Sequence, residues 1–88
     1  MIRTKVNLFG AFRQYGDGEN IELDLPANIS LRQLRQAFIR RLLEIDPHFR
    51  QQELVFASAF ADKNGVLNDE KITTILGELA ILPPVCGG

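Results

Sequence analysis

The last six residues of the chain carry the groups best suited to chemistry. The sequence ends in Gly87-Gly88, directly after the run from Pro83 to Cys86. Two residues without side chains leave a terminal carboxylate unhindered. Pro83 and Pro84 lack backbone N–H groups, so they end a strand and keep the segment extended. The pattern predicts a narrow, carboxylate-tipped arm that enters the active-site channel of another enzyme. The alternative is a frayed end or a cloning remnant without function.

Cys86 places a thiol two residues from the terminal carboxylate. It suggests an internal persulfide or a thioester with Gly88. The tail contains no His, Lys or Arg to lower the pKa of the thiol. This favours the alternative, in which Cys86 is only a small residue that fits a channel. One cysteine also excludes an internal disulfide, and no cluster of metal-ligand type is present, so no metal site is expected.

Composition limits the chain to a small domain without the signs of a nucleic-acid or membrane protein. It has 88 residues, of which 45% are hydrophobic and 24% charged, and its net charge is -1. A nucleic-acid module is expected to carry a basic excess. The N-terminal residues lack the apolar run of a signal peptide, and no stretch approaches bilayer length. We expect a soluble cytoplasmic protein.

Two alternating runs near the N-terminus predict a pair of half-buried strands. The inward-facing positions are Ile2, Thr4, Val6 and Leu8 in the first run, and Ile21, Leu23 and Leu25 in the second. Turn residues from Tyr15 to Gly18 separate the runs. The sequence therefore predicts an N-terminal hairpin, with a connection too long to fix the register.

The next segment carries the signals of an amphipathic helix. Ser30 and Gln33 have the spacing of a capping box, and Ile29 with Leu34 that of a hydrophobic staple. The predicted buried stripe is Leu31, Leu34, Phe38, Leu42 and Ile45. The predicted solvated residues of the helix include Arg32, Arg35, Arg40 and Arg41. Asp46-Pro47 is expected to end the helix. Ile39 and Leu43 lie outside the stripe, so either the loop at 47–52 covers them or they form an exposed patch.

The remaining segments predict further strands. The apolar run within Glu53–Ala61 indicates a third strand inside the sheet. Asn64-Gly65 predicts a turn before a very short strand, and residues 68–70 form either a helical turn or a loop. Glu78–Leu82 is the last strand, ended by Pro83. We expect an α+β fold of the β-grasp (ubiquitin-like) type. It has a mixed four- to five-stranded sheet with one main helix across it. Residues 1–82 form the domain and residues 83–88 an extended tail, and the first and last strands lie side by side in the centre.

This order of elements, with the ending Ala80-Ile81-Leu82-Pro83-Pro84-Val85-Cys86-Gly87-Gly88, resembles the ubiquitin-like sulfur carriers. Among them it is most similar to the small subunits of molybdopterin synthase. The segment Val6–Arg13 also resembles the first strand and turn of that family. The thiamin-pathway carriers are the nearest alternative within the class. A ubiquitin-like protein modifier and a non-conjugating binding module are the alternatives outside it. Residues 62–77 depart from the compact turn expected of the family.

The resemblance implies a carrier that is not itself an enzyme. A ubiquitin-activating-type enzyme uses ATP to adenylate the carboxylate of Gly88, and a persulfide donor converts it to a thiocarboxylate. The thiocarboxylate then delivers sulfur to a pterin precursor in the large subunit, as part of a heterotetramer that builds the molybdenum cofactor. The carrier holds no permanent cofactor and no metal. It has no nucleic-acid or membrane partner.

Apolar residues near the strand ends are the candidates for partner docking. The docking set comprises Phe9, Leu79, Leu82, Pro83, Pro84 and Val85, while Cys86 and Gly87 thread into the partner's channel. Most of the five apolar residues near the strand ends should belong to the core, and any that lie outward near the tail form the docking patch; the five are Phe9, Phe56, Phe60, Leu79 and Leu82. Residues beside the prolines cannot all fold back into a core, so Leu82 and Val85 are the preferred anchors. His48 is expected to be an exposed loop residue.

Overall fold

A computed structural model describes residues 1–84 of the chain. Its strands are β1 (Ile2–Leu8), β2 (Asn20–Leu25), β3 (Asn28–Ser30), β4 (Ala59–Asp62), β5 (Gly65–Val66), β6 (Ile72–Thr74) and β7 (Glu78–Leu82). Its helices are α1 (Leu31–Ile45) and α2 (Gln52–Ala57), with a 3₁₀ helix at Gly10–Gln14. Within residues 1–84 no helix is long and apolar enough to cross a membrane.

The architecture is α+β, with one main helix packed on a mixed five-stranded sheet. The strand order is β2-β1-β7-β4-β5, and β3 with β6 forms a separate two-stranded sheet. β1 and β7 run parallel in the centre, whereas the other pairs are antiparallel. The predicted neighbourhood of the first and last strands is confirmed. The N-terminal hairpin is confirmed too, with Val6 opposite Ile21.

The helix prediction is confirmed in its start and its buried face. Both halves of the capping box form, because the Gln33 N–H donates to Ser30 Oγ and the Ser30 N–H donates to Gln33 Oε1. Leu31, Leu34, Phe38 and Leu42 are buried, while Ile45 is only half-buried. Ile39 and Leu43, for which the sequence allowed either a covered or an exposed position, are buried and half-buried respectively.

Three phenylalanines join the helix to the rest of the core. Phe38 of α1 meets Phe12 of the 3₁₀ helix and Phe60 of β4 edge to face, with ring centroids 6.0 and 5.6 Å apart. Phe49 lies in the loop after α1 and is buried against Tyr15, 5.4 Å between centroids. Such T-shaped contacts are favourable geometries for aromatic rings. They tie the 3₁₀ helix and the post-helix loop to the core.

The prediction of one strand over Glu53–Ala61 is wrong in its first part. Residues 52–57 form α2, and β4 starts only at Ala59. A four-residue apolar run is compatible with either structure, and Glu53, Leu54 and Ala57 are good helix formers. Within the run only Val55 is fully buried, while Phe56 faces solvent. This one-sided burial is that of a surface helix and not of an interior strand.

Residues 62–77 form a hairpin followed by a strand that the sequence analysis did not predict. Lys63 and Asn64 make the predicted turn, with Gly65 at a φ of +119°. Residues 69–70 form a turn and not a helix. β6 then pairs with β3, which places Ile29 opposite Thr73 beside the start of α1. These strands have three residues each, too short for a period-two pattern to reveal.

Candidate functional site

The tail leaves the domain at the end of β7, where Pro83 lies against Gly10. Gly10 has a φ of +57°, and a Cβ atom at this position would be 2.7 Å from Pro83 Cγ. Glycine is therefore required at this position for two reasons. It adopts the left-handed backbone without strain, and its lack of a side chain allows the close approach of the proline ring. Gly10 opens the 3₁₀ helix, whose Phe12 is buried in the core. The course of the chain at Pro83 is thus set by contact with a segment that is anchored in the core.

Beside this exit an apolar row crosses three strands. Leu8 and Ile81 are paired and buried, so the residues that follow them, Phe9 and Leu82, lie on the opposite face of the sheet. Phe9 keeps an extended backbone, with φ -134° and ψ 154°. Ala59 of β4 lies directly opposite Leu82. Phe9 is 46% exposed and Leu82 37%, so this tail-end row (Phe9, Leu82 and Ala59) presents apolar surface next to the exit.

The next row across the same face is shallow because it contains two alanines. Ala80 pairs with Asn7 on one side and with Ala61 on the other, and Ala61 pairs with Val66. Val66 is 67% exposed. A groove of about 330 Å³ lies over the two alanines, with Leu76 and Lys63 in its walls. We call the whole outer surface of the sheet, from the tail-end row across this groove to the opposite end of the strands, the open face.

Charged side chains occupy the end of the open face farthest from the tail. Glu78 accepts a hydrogen bond from Asn7 Nδ2 at 2.9 Å and lies 3.6 Å from Lys5 Nζ. The Asn7 hydrogen bond, and then the charge of Lys5, hold the pKa of Glu78 below its usual value. Arg3 lies 3.5 Å from Asp24 in the neighbouring row. Exposed pairs of this kind contribute little to stability. Their effect is to leave the tail-end row as the uncharged part of the face.

The structure brings together four of the six residues predicted for docking. Phe9, Leu82, Pro83 and Pro84 lie at the tail exit, where Pro84 is exposed and Pro83 partly so. The prediction that Leu79 is a docking residue is wrong, because its side chain is only 2% exposed. It pairs with Val6 on the core face, since the alternation of β7 turns Leu79 and Ile81 inward and Ala80 and Leu82 outward. It belongs to the core and not to a docking surface.

Other predicted residues lie away from this surface or outside the described chain. Val85, Cys86, Gly87 and Gly88 fall outside the described residues. Phe60 is a core residue, whereas Phe56 is 46% exposed on α2. His48 is an exposed loop residue, as predicted. In residues 1–84 no group of His, Cys, Asp or Glu has the arrangement of a metal site.

Two arginines predicted to be solvated instead bind the backbone of other elements. Arg41 Nε donates to the carbonyl of Glu22 at 2.8 Å, which covers part of the free edge of β2. Arg35 donates to the carbonyl of Ser58 at 3.2 Å and to Asp69 at 3.0 Å. The sequence analysis also missed Ala59, Ala61 and Val66, which lie on the open face. The spacing of β7 identifies that face only when its pairing partners are known.

Neither a scan against protein-family models nor a search of curated proteins found a match.

Proposed function

We propose that this chain is a ubiquitin-like sulfur carrier with a β-grasp fold. Supporting the fold is the sequence of a hairpin, a crossing helix and returning strands, with β1 and β7 parallel in the centre. One observation carries the functional proposal: β7, a central strand, leads into the Gly87-Gly88 segment beside an exposed apolar row. A central strand gives the arm a fixed base, and the row gives a partner an apolar surface beside it.

The proposed chemistry starts at the carboxylate of Gly88. A carboxylate is a poor electrophile, so its oxygen first attacks the α-phosphorus of ATP, which releases pyrophosphate and leaves an acyl-adenylate. The terminal sulfur of a donor persulfide then attacks the acyl carbon, and AMP departs. A donor thiol cleaves the resulting acyl disulfide to give a thiocarboxylate on Gly88 and a disulfide on the donor. The carrier contributes the reacting carboxylate, while the activating enzyme supplies catalysis.

Within the carriers, we propose the molybdopterin branch. The run Pro83-Pro84-Val85 and the similarity across Val6–Arg13 support this choice over the thiamin pathway. The partners are then a large subunit that accepts sulfur on a pterin precursor, within a heterotetramer, and an adenylating enzyme. We expect expression of this chain in a cofactor-deficient strain to restore molybdenum-enzyme activity. It should not restore thiamin-independent growth in a strain that lacks the thiamin-pathway carrier. The reverse pattern would assign the chain to the thiamin pathway.

An ATP–pyrophosphate exchange assay with the activating enzyme tests the activation step. We expect exchange with the intact chain and none after removal of Gly87 and Gly88. The truncated chain should melt at nearly the same temperature, because the buried core of residues 1–84 ends at Ile81. A chain that never supports exchange is a non-conjugating binding module. A chain that supports exchange but becomes covalently attached to lysine side chains of other proteins in a lysate is a protein modifier.

A further inference from the structure

Arg35 is the arginine of α1 whose environment requires an explanation. Its side chain is only 16% exposed, and Leu31, Phe38 and Ile39, one turn away on the same helix, are buried. Its Nε is buried and has no hydrogen-bond partner within residues 1–84. Removing a guanidinium from water is costly unless its contacts compensate for the loss. The two contacts that Arg35 makes, with Asp69 and Ser58, therefore indicate what the residue does.

Ser58 is the joint between α2 and β4, and every polar group of this residue is engaged. Its N–H donates to the carbonyl of Val55 at 3.2 Å, and its Oγ donates to the carbonyl of Leu54 at 2.6 Å. Its own carbonyl accepts the hydrogen bond from Arg35 Nη2. Ser58 is 2% exposed. The guanidinium thus ties the start of β4 to the main helix.

The next residue connects this joint to the tail exit. Ala59 follows Ser58 and lies opposite Leu82, the last residue of β7 and the centre of the tail-end row. Arg35 Nη1 meanwhile binds Asp69 in the loop between β5 and β6. One side chain therefore binds both ends of the hairpin of β4 and β5, at the residue before β4 and in the loop after β5. β4 itself has only four residues to keep its register.

We propose that Arg35 is a positioning residue for the tail exit. By holding Ser58, it keeps β4 against the end of β7, so that Leu82 and Pro83, where the tail begins, keep one orientation. We call the contacts of Arg35 with Ser58 and Asp69 the clamp. The clamp is a property of the fold, whereas its consequence for partner docking rests on the proposed function. Arg40, on the same helix, is exposed and has no such contact within the described residues, so it serves as the matched control.

Amide hydrogen exchange measured by NMR tests the clamp. In Arg35→Met the amides of Ala61 and Leu82 should exchange at least about tenfold faster, because β4 opens locally. The amides of Val6 and Ile21, in the hairpin of β1 and β2, should change much less. Arg40→Met should leave all four amides unchanged. Arg35→Gln keeps one donor and should show the same pattern more weakly, which preserves the test if the Met variant does not fold.

Two results would overturn the clamp. One is an equal acceleration in all four amides, which would reduce Arg35 to a contributor to global stability. The other is no acceleration in either Arg35 variant. Both results leave the carrier proposal standing, because the exchange measurement uses the free chain. Conversely, a wild-type chain that is never adenylated would overturn the carrier proposal and leave the exchange result valid.

Discussion

At the scale of single residues, the contact between Gly10 and Pro83 fixes where the arm begins. The contact depends on a backbone angle of +57° and on the absence of a side chain. The sequence analysis included Gly10 only within the Val6–Arg13 segment. It missed the contact because no sequence rule pairs residue 10 with residue 83. Arg35 was misjudged for a similar reason, since its partners lie 23 and 34 residues away.

Gly10→Ala should lower stability and displace Pro83. The left-handed backbone alone costs about 1–2 kcal/mol for a residue with a side chain. Gly16→Ala is the matched control, because its φ is +58° and its Cβ would meet the side chain of Ile21 at 3.2 Å. Chemical denaturation should therefore show a larger loss of unfolding free energy for Gly10→Ala than for Gly16→Ala. Equal losses would mean that the Pro83 contact carries no energy.

The carboxylate of Asp17 should contribute to stability only above acidic pH. Its Oδ1 accepts the N–H groups of Glu19 and Asn20 at 2.8 and 3.0 Å. These bonds, that of Asn20 first, lower the pKa of Asp17 in the folded chain. A group whose pKa is lowered by folding stabilises above its unfolded pKa of about 3.9, and this contribution is lost as pH falls through the folded value.

Asp17→Asn isolates this effect, because the amide oxygen can still accept both bonds without the charge. The wild type should melt at a higher temperature than the variant at pH 7, and the difference should shrink as the pH falls below about 4. Melting curves recorded across this range provide the measurement. A difference that stays constant with pH would show that the charge of Asp17 is not responsible.

At the scale of elements, the long periodic segments were predictable and the short ones were not. The capping box and the spacing of Leu31, Leu34, Phe38 and Leu42 predicted α1, and alternation predicted β1 and β2. α2 and β6 have six and three residues, so tertiary contacts override their local patterns. The open face could be predicted only in part. Alternation assigns Leu82 outward, but the rows across the sheet depend on registers that the sequence does not encode locally.

Leu82→Ala should weaken partner binding without unfolding the domain. An apolar anchor buried at an interface commonly contributes about 2 kcal/mol or more, so affinity for the large subunit should fall at least about tenfold. Arg40→Ala, on the opposite side of the domain, should change affinity little. Isothermal titration calorimetry measures both. If Arg40→Ala weakens binding strongly and Leu82→Ala leaves the affinity unchanged, the partner binds the helix and not the open face.

At the scale of the whole molecule, the fold separates the parts that the proposed carrier function requires. The core lies between α1 and the sheet, the charged rows occupy one end of the open face, and the apolar row lies at the other end beside the exit. The part of the proposal that depends on Gly88 follows from the sequence and its family resemblance. The structure adds the apolar surface beside Pro83, where the tail begins.

The intact mass of the chain tests the central claim most directly. The chain is incubated with its activating enzyme, ATP and a persulfide donor, and a chain lacking Gly87 and Gly88 is treated in parallel. We predict a mass increase equal to the exchange of one oxygen for sulfur, located at Gly88 by fragmentation and absent from the truncated chain. An unchanged mass, under conditions that convert an established sulfur carrier to its thiocarboxylate, would contradict the account.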